Sequence, residues 1–367
     1  MAYLEMKPYI ASASAPIYGA EWAGTSDPSW TRTDAASSFS DPNPYYAGMS
    51  TTPSSPFDNI SPWKDLVVSE DSEAGTLVSI PKFYYKWTRT GDKMKLQISM
   101  HQYDGFFTSP AHADRGDGKG ERDIVYVGRY LCASDYKSKT NAVRYNNVTR
   151  ATSRAGIHSL GSTVWQYDYA MYWTLCMLYL VEFAHWNSQE KFHFPYYDTV
   201  SGYNTGETDS MPYHTGKATK GCQYRHIENF FELVTFCDGI LFTPSKCYVT
   251  KNPANFSDSI TYGVEVGDTL QKTNNPNNTV ITSWSNPSVS GYEYALIPKT
   301  QLLTSSSVIN TYITDGIDSN TSYDTVVTVG SGKDSNDFHG LFRIDYSFVN
   351  NSYATRDYIH FRLMKLP

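Results

Sequence analysis

The chain has 367 residues, and 40% of them are hydrophobic, which is enough for a sizeable core in one large domain or in two to three average ones. The formal net charge is -7 and the Lys and Arg residues are scattered, so the chain lacks the basic footprint of a nucleic-acid-binding protein. The longest apolar run, 171–181, is far shorter than a membrane span, and we expect no membrane insertion.

The five cysteines are odd in number and form no CxxC motif: Cys132, Cys176, Cys222, Cys237 and Cys247. We therefore expect free thiols in a protein that is assembled in a reducing cytoplasm. Residues 1–7 do not combine a charged start with an apolar core, so we expect no signal peptide.

Residues 1–62 are rich in Ala, Ser, Pro, Tyr and Asp, and they carry Tyr18, Trp22 and Trp30 among turn-forming residues. Flexible linkers do not carry so many aromatic residues. This composition predicts an extended N-terminal segment that serves attachment or oligomerisation. It would dock onto the main body, a neighbouring subunit or a larger particle.

Strand patterns follow. Residues 76–87 are rich in β-branched and aromatic residues and predict a strand, residues 93–99 predict a second one, and Gly91-Asp92 between them predicts a hairpin turn. Residues 123–130 predict another strand, and 340–348 and 358–364 predict two more around a polar turn.

The central feature is a predicted helix over 163–188. Aromatic and apolar residues recur there at alternating steps of four and three, which draws one stripe down a helix: Trp165, Tyr169, Tyr172, Cys176, Tyr179, Phe183 and Trp186. Glu182 lies on this apolar helix, and a buried carboxylate needs partners. We interpret Glu182 as structural, capping or bridging to a neighbouring loop, with a catalytic role as the alternative.

Strands, one helix, a loop-rich region and closing strands predict an α+β fold. It would have a small, mostly antiparallel sheet, one long buried helix and extensive ordered loops, all within a domain spanning 63–367.

Motifs for catalysis and metal binding are weak. Residues 114–123 hold four acids and three Gly, which fits either a calcium-binding turn or a solvated turn that leads into the next strand. The chain has no HExxH, GxSxG or phosphate-binding glycine loop. We therefore predict no metal, no cofactor and no enzymatic activity.

The stretch 331–360 combines Asp, Asn, Ser, Tyr, His and Arg side chains with an apolar framework. Such a combination is typical of a rigid scaffold that displays short polar and aromatic side chains, as paratopes do. An ordinary sheet edge with polar loops fits the composition equally well.

Several motifs occur together along the chain: IYG at 17–19, WTRTD at 30–34, IPKFYYK at 80–86, SPAHAD at 109–114, VGRY at 127–130, MLYLVEF at 177–183 and WNSQ at 186–189. In combination they resemble a family of phage and prophage tail receptor-binding proteins with a C-type-lectin-like fold. Phe361-Arg362-Leu363 also resembles the closing strand of the formylglycine-generating-enzyme type of that fold. Those enzymes use a Cys pair near the C-terminal end, whereas the last cysteine here is Cys247.

The resemblance implies a receptor-binding protein at a phage tail tip or tail fibre, located in the virion after assembly in the bacterial cytoplasm. Some relatives are variable proteins of diversity-generating retroelements, and the polar content of 331–360 fits such diversification. The implied partners are a host cell-surface protein or glycan, other phage tail proteins and further copies of the chain. An enzyme acting on surface glycans and a purely structural tail component are the alternatives.

In that fold the segment before the closing strand faces the ligand. The predicted ligand-binding residues are therefore Asp337, His339, Arg343, Asp345, Tyr346, Asn350, Asn351, Tyr353, Arg356 and Tyr358.

Overall fold

The computed structural model describes residues 15–45, 52–191, 204–212, 222–231, 233–270, 279–303, 317–319, 325–330, 340–349 and 358–367. Within the described residues, strands account for 37% and helices for 14%, and the strands form five mostly antiparallel sheets. The predicted α+β class, with a C-type-lectin-like arrangement of one long helix and a small sheet, is therefore wrong. The protein is β-rich, because many strands of only two to five residues pair across large separations in sequence.

The first sheet, here the N-terminal sheet, has the strand order Trp30–Asp34, Ile17–Trp22, Lys93–Ser99, Tyr84–Thr90 and Phe107–Thr108. The hairpin at Gly91-Asp92 forms as predicted, with Thr90 opposite Lys93. Ile17–Trp22 is an inner strand, so this part of the predicted attachment segment is hydrogen-bonded to the body of the protein. The boundary at residue 62 stays a prediction.

The second sheet, here the central sheet, has the strand order Val68–Asp71, Gly75–Pro81, Ile124–Gly128, Leu363–Lys365 and Val164–Gln166. The stretch 76–87 is thus two strands in two sheets, and the first of them ends at Pro81. Leu363–Lys365 lies between two strands that are far away in sequence and completes the sheet.

The third sheet, here the C-terminal sheet, has seven strands. Their order is Val264–Asp268, Lys246–Val249, Val234–Phe242, Thr325–Val329, Ile344–Val349 and Ile317–Ser319, with Ile359–His360 parallel to the start of Val234–Phe242. Two hairpins complete the described strands: Gln223–Tyr224 with Ile227–Glu228, and Thr279–Ser285 with Ile297–Leu303.

The described residues form three α-helices, Arg150–His158 (α1), Tyr169–Phe183 (α2) and Ser188–Lys191 (α3). Short 3₁₀ turns occur at Trp63–Asp65, Pro253–Asn255 and Ile260–Tyr262. None of the helices in the described ranges is long and apolar enough to cross a membrane.

Helix α2 is shorter than the predicted 163–188. It begins after Asp168, whose side chain accepts a hydrogen bond from the Met171 amide at 2.8 Å, a typical N-cap. It ends at Ala184, which adopts a left-handed conformation (φ 52°). Every residue of α2 is buried, since the helix contacts strands of both the N-terminal and the C-terminal sheet. This cover explains why its sequence is apolar on all sides.

Candidate functional site

The C-terminal sheet brings together the ends of the predicted ligand-binding stretch. Thr235 pairs with Val329 on one side and with His360 on the other. Since neighbouring strands are separated by about 4.8 Å, Val329 and His360 lie roughly 10 Å apart. Segments 331–339 and 350–357 lie outside the described residues, but one begins just after Val329 and the other ends just before the strand of His360.

A second register adds another junction at the same place. Ile344 pairs with Val329, so the chain re-enters the sheet after 331–339 beside the point where it left. Val349, where 350–357 begins, pairs with Thr325 at the opposite end of the strand. Three of the four junctions of the two segments therefore meet at one end of the sheet, which we call the binding end and define by Gly330, Gly340 and Tyr358.

Six of the ten predicted ligand-binding residues lie outside the described residues: Asp337, His339, Asn350, Asn351, Tyr353 and Arg356. The other four are Arg343, Asp345, Tyr346 and Tyr358. Arg343 and Asp345 are buried, and the guanidinium donates to the carboxylate at 3.2 Å. Tyr358 is half-buried and packs against the apolar cluster of the binding end.

Tyr346 is fully buried. Its hydroxyl donates to the Leu270 carbonyl at 2.8 Å, and its ring stacks on Phe242 with the centroids 4.2 Å apart. The strand alternation of Ile344, Tyr346 and Phe348 is a sequence signal that assigns Tyr346 to the apolar face, and the paratope-like interpretation overlooked it.

An open cleft of about 590 Å³ lies beside the binding end and is lined by residues 133–135, 139 and 142–147. Its loop contacts the chain just after the strand Ile359–His360, because the Cys132 amide donates to the Phe361 carbonyl at 3.0 Å. The Tyr145 and Phe361 rings are also in contact, 5.7 Å apart. From the sequence alone, this loop is recognisable only as polar.

His360 joins the cleft to the sheet. Burial, together with the charge of Arg144 in the cleft, lowers the pKa of its imidazole to about 3. The imidazole is therefore neutral at physiological pH. Its buried Nδ1 has no hydrogen-bond partner among the described residues.

No protein-family model matches the chain, and a search of the curated proteins finds no match.

Other buried charges have structural partners. Glu182 accepts hydrogen bonds from Ser55 and Tyr224 and pairs with Arg225, so it bridges the helix to two loops as predicted. Asp238 accepts two hydrogen bonds from the guanidinium of Arg154, at 2.6 and 2.9 Å. These contacts hold helices and loops onto the sheets.

The acidic stretch 114–123 is also occupied by internal contacts. Arg115 pairs with Asp168 in the interior, and Asp117 pairs with Arg122. Asp123 pairs with Lys82 at 2.7 Å. No group of three His, Cys, Asp or Glu side chains within the described residues could hold a metal ion. The geometry of this stretch fits the solvated turn, which was one of the two interpretations of its sequence.

Proposed function

We propose that this chain is a receptor-binding protein of a phage tail, which recognises a ligand on the host cell surface with the binding end and the segments attached to it. The observation that carries the proposal is the register of Thr235 between Val329 and His360. It brings Val329 and His360, which flank the polar stretch in sequence, to one end of the C-terminal sheet. A surface of this kind needs short displayed side chains on a fixed scaffold.

The buried acids of the described residues have structural roles. The buried acids Asp168, Glu182 and Asp238 are each paired with a guanidinium or hydrogen-bonded to neighbours. A general acid or base needs a perturbed group that reaches a substrate, and these groups face other parts of the protein instead.

The proposal includes multiple copies in the tail of the virion, assembled in the bacterial cytoplasm with other tail proteins. Repeated copies on one particle would raise the effective affinity of a weak single site. It also includes diversification of 331–360. Sequencing the locus across a population tests that part, and uniform codons there would exclude diversification.

Binding to intact bacteria tests the main proposal. A variant with Ala at Asp337, His339, Asn350, Asn351, Tyr353 and Arg356 should lose adhesion to cells that the natural chain binds, while its thermal unfolding temperature stays unchanged. A matched control carries Asp92→Ala, Asp104→Ala and Lys119→Ala, since these side chains are exposed elsewhere on the surface.

Adhesion should persist in the control. Protease treatment of the cells then distinguishes a protein ligand from a glycan ligand. Undiminished adhesion of the six-site variant would refute the proposal. Failure of the natural chain to adhere to any strain that its phage infects would favour a purely structural tail component.

A further inference from the structure

The loop that lines the cleft has a strained backbone. Tyr136, Asn141 and Asn147 adopt positive φ angles of 65°, 51° and 58°. Asn tolerates this conformation, but a bulky residue such as Tyr rarely adopts it. Strain of this kind persists only where the surroundings fix the backbone, and it concentrates at ligand sites.

One side of the loop is fixed by Ser138. Its amide donates to the Ala74 carbonyl at 2.9 Å, and its carbonyl accepts from the Thr76 amide at 2.7 Å. The Ser138 hydroxyl donates to the Thr76 carbonyl at 2.6 Å. The loop is thereby attached to the beginning of the central-sheet strand Gly75–Pro81.

The other side is fixed by Thr205. The Asn141 amide donates to the Thr205 carbonyl, and the Thr205 amide donates to the Ala142 carbonyl, both at 2.8 Å. The residues that follow Thr205 are held in turn by the buried Glu228, whose carboxylate accepts from the amides of Gly206 and Thr208 at 2.9 and 3.0 Å. The cleft is thus built on two rigid supports, which lowers the entropy cost of binding.

The lining is polar, and its charged residues are Asp135, Lys139 and Arg144, of which Arg144 is buried. Asp135 and Lys139 form an ion pair with each other. Asn146 and Asn147 add amides, which present both donors and acceptors. Val143 has 61% of its surface exposed, and the half-buried ring of Tyr145 adds a second apolar surface.

We propose that the cleft binds one sugar unit of a neutral glycan. The hydroxyl groups of a sugar can both donate hydrogen bonds to and accept them from the amides and the ion pair of the lining. The C–H face of the sugar ring can pack on apolar surfaces such as Val143 and Tyr145. The volume is in the range of small-molecule sites. This inference rests on the proposed function, to which it adds a ligand class and a second contact beside the binding end.

Calorimetric titration of the purified full chain with free glucose, galactose, mannose and N-acetylglucosamine tests the inference. At least one sugar should bind at millimolar concentrations. Val143→Glu places a charged, longer side chain in the cleft and should weaken that binding at least about tenfold. Asn147→Gly removes an amide but keeps the positive φ, and it should also weaken binding.

Val67→Glu is the matched control, because Val67 is 51% exposed at a different place. It should leave sugar affinity unchanged, and thermal unfolding should show that all three variants fold. The inference is overturned if none of the four sugars binds, if Val143→Glu binds as the natural chain does, or if inorganic phosphate binds the cleft instead. Adhesion to cells without sugar binding refutes only this inference, whereas sugar binding without adhesion refutes only the proposed function.

Discussion

Glu182 and Arg225 form an ion pair that is closed off from solvent, with 0% and 3% of their side-chain surfaces exposed. The guanidinium donates to both carboxylate oxygens, the second contact at 3.2 Å from Nε to Oε2. The hydroxyls of Ser55 and Tyr224 donate to the same oxygens at 2.6 and 3.0 Å. One carboxylate therefore joins the last turn of α2 to two segments distant in sequence.

Glu182→Gln should lower the free energy of unfolding by about 3 kcal/mol, because it removes a charge from a buried pair while keeping the side-chain shape. Chemical denaturation measures the loss. Glu190→Gln is the control, since the Glu190 side chain is 57% exposed, and it should change stability by less than about 0.5 kcal/mol. Equal effects of the two substitutions would contradict a structural role for the buried pair.

Gly156→Ala should be destabilising even though it lies in α1. A Cβ at this position would come 2.1 Å from Cζ of Tyr136, so the ring and the cleft loop must move. We expect a loss of roughly 1–3 kcal/mol, against a gain of about 0.5–1 kcal/mol for Gly to Ala in an unobstructed helix. In a Tyr136→Gly background the ring is absent, and the same substitution should become neutral or stabilising. A similar loss in both backgrounds would show that the ring contact is not the cause.

The stability of the protein should fall as pH is lowered from about 6.5 to about 4. Burial lowers the pKa of His112 to about 4. Its Nε2–H donates to the Ile80 carbonyl at 2.9 Å, and its Nδ1 accepts from the Ser109 hydroxyl at 2.7 Å, so the folded state favours the neutral imidazole. The unfolded chain takes up the proton first. The stabilisation is therefore complete above about pH 6.5 and is lost progressively below it, by on the order of 3 kcal/mol.

Denaturation series at several pH values measure this dependence. His112→Gln removes one titrating group and should reduce the slope between pH 6.5 and 4, while the buried His360, whose pKa is lowered to about 3, keeps part of it. His101→Gln changes an exposed histidine and should leave the curve as it is. An unchanged slope in His112→Gln would assign the acid sensitivity to other groups.

Tyr346 should behave as a core residue. Tyr346→Phe loses the hydrogen bond to Leu270 and should cost about 1 kcal/mol, whereas Tyr346→Ala should cost about 3–5 kcal/mol. Adhesion per folded molecule should be unchanged in Tyr346→Phe. Tyr262→Ala, at a tyrosine that is 59% exposed, is the stability control. Loss of adhesion in a fully stable Tyr346→Phe would assign the hydroxyl to ligand contact.

Local signals explain which parts of the fold the sequence predicts. The stripe of Tyr169, Tyr172 and Phe183 predicts a helix because a helical period is a local property. The residue at which the helix begins depends on a distant segment. Val164–Gln166 forms a strand instead of helix because it pairs with Leu363–Lys365, about two hundred residues further along the chain. Such pairing depends on partners that periodicity cannot identify, and for this reason the sequence predicts too few strands.

The candidate site shows the same limit. Composition indicates that 331–360 is polar, but it does not show that Arg343 and Asp345 bond to each other in the interior. The sequence does not predict the cleft, for another reason. Its form depends on Ser138 and Thr205, two ordinary residues whose importance lies in backbone contacts with distant segments.

The position of Leu363–Lys365 between Ile124–Gly128 and Val164–Gln166 has a consequence for biosynthesis. The central sheet cannot close until the ribosome has translated the whole of 331–357, so a frameshift or stop codon in that stretch removes the closing strand. In-frame substitutions there leave the strand intact. Folding would thus act as a reading-frame check, because only chains with an uninterrupted frame through the predicted variable stretch can complete the core.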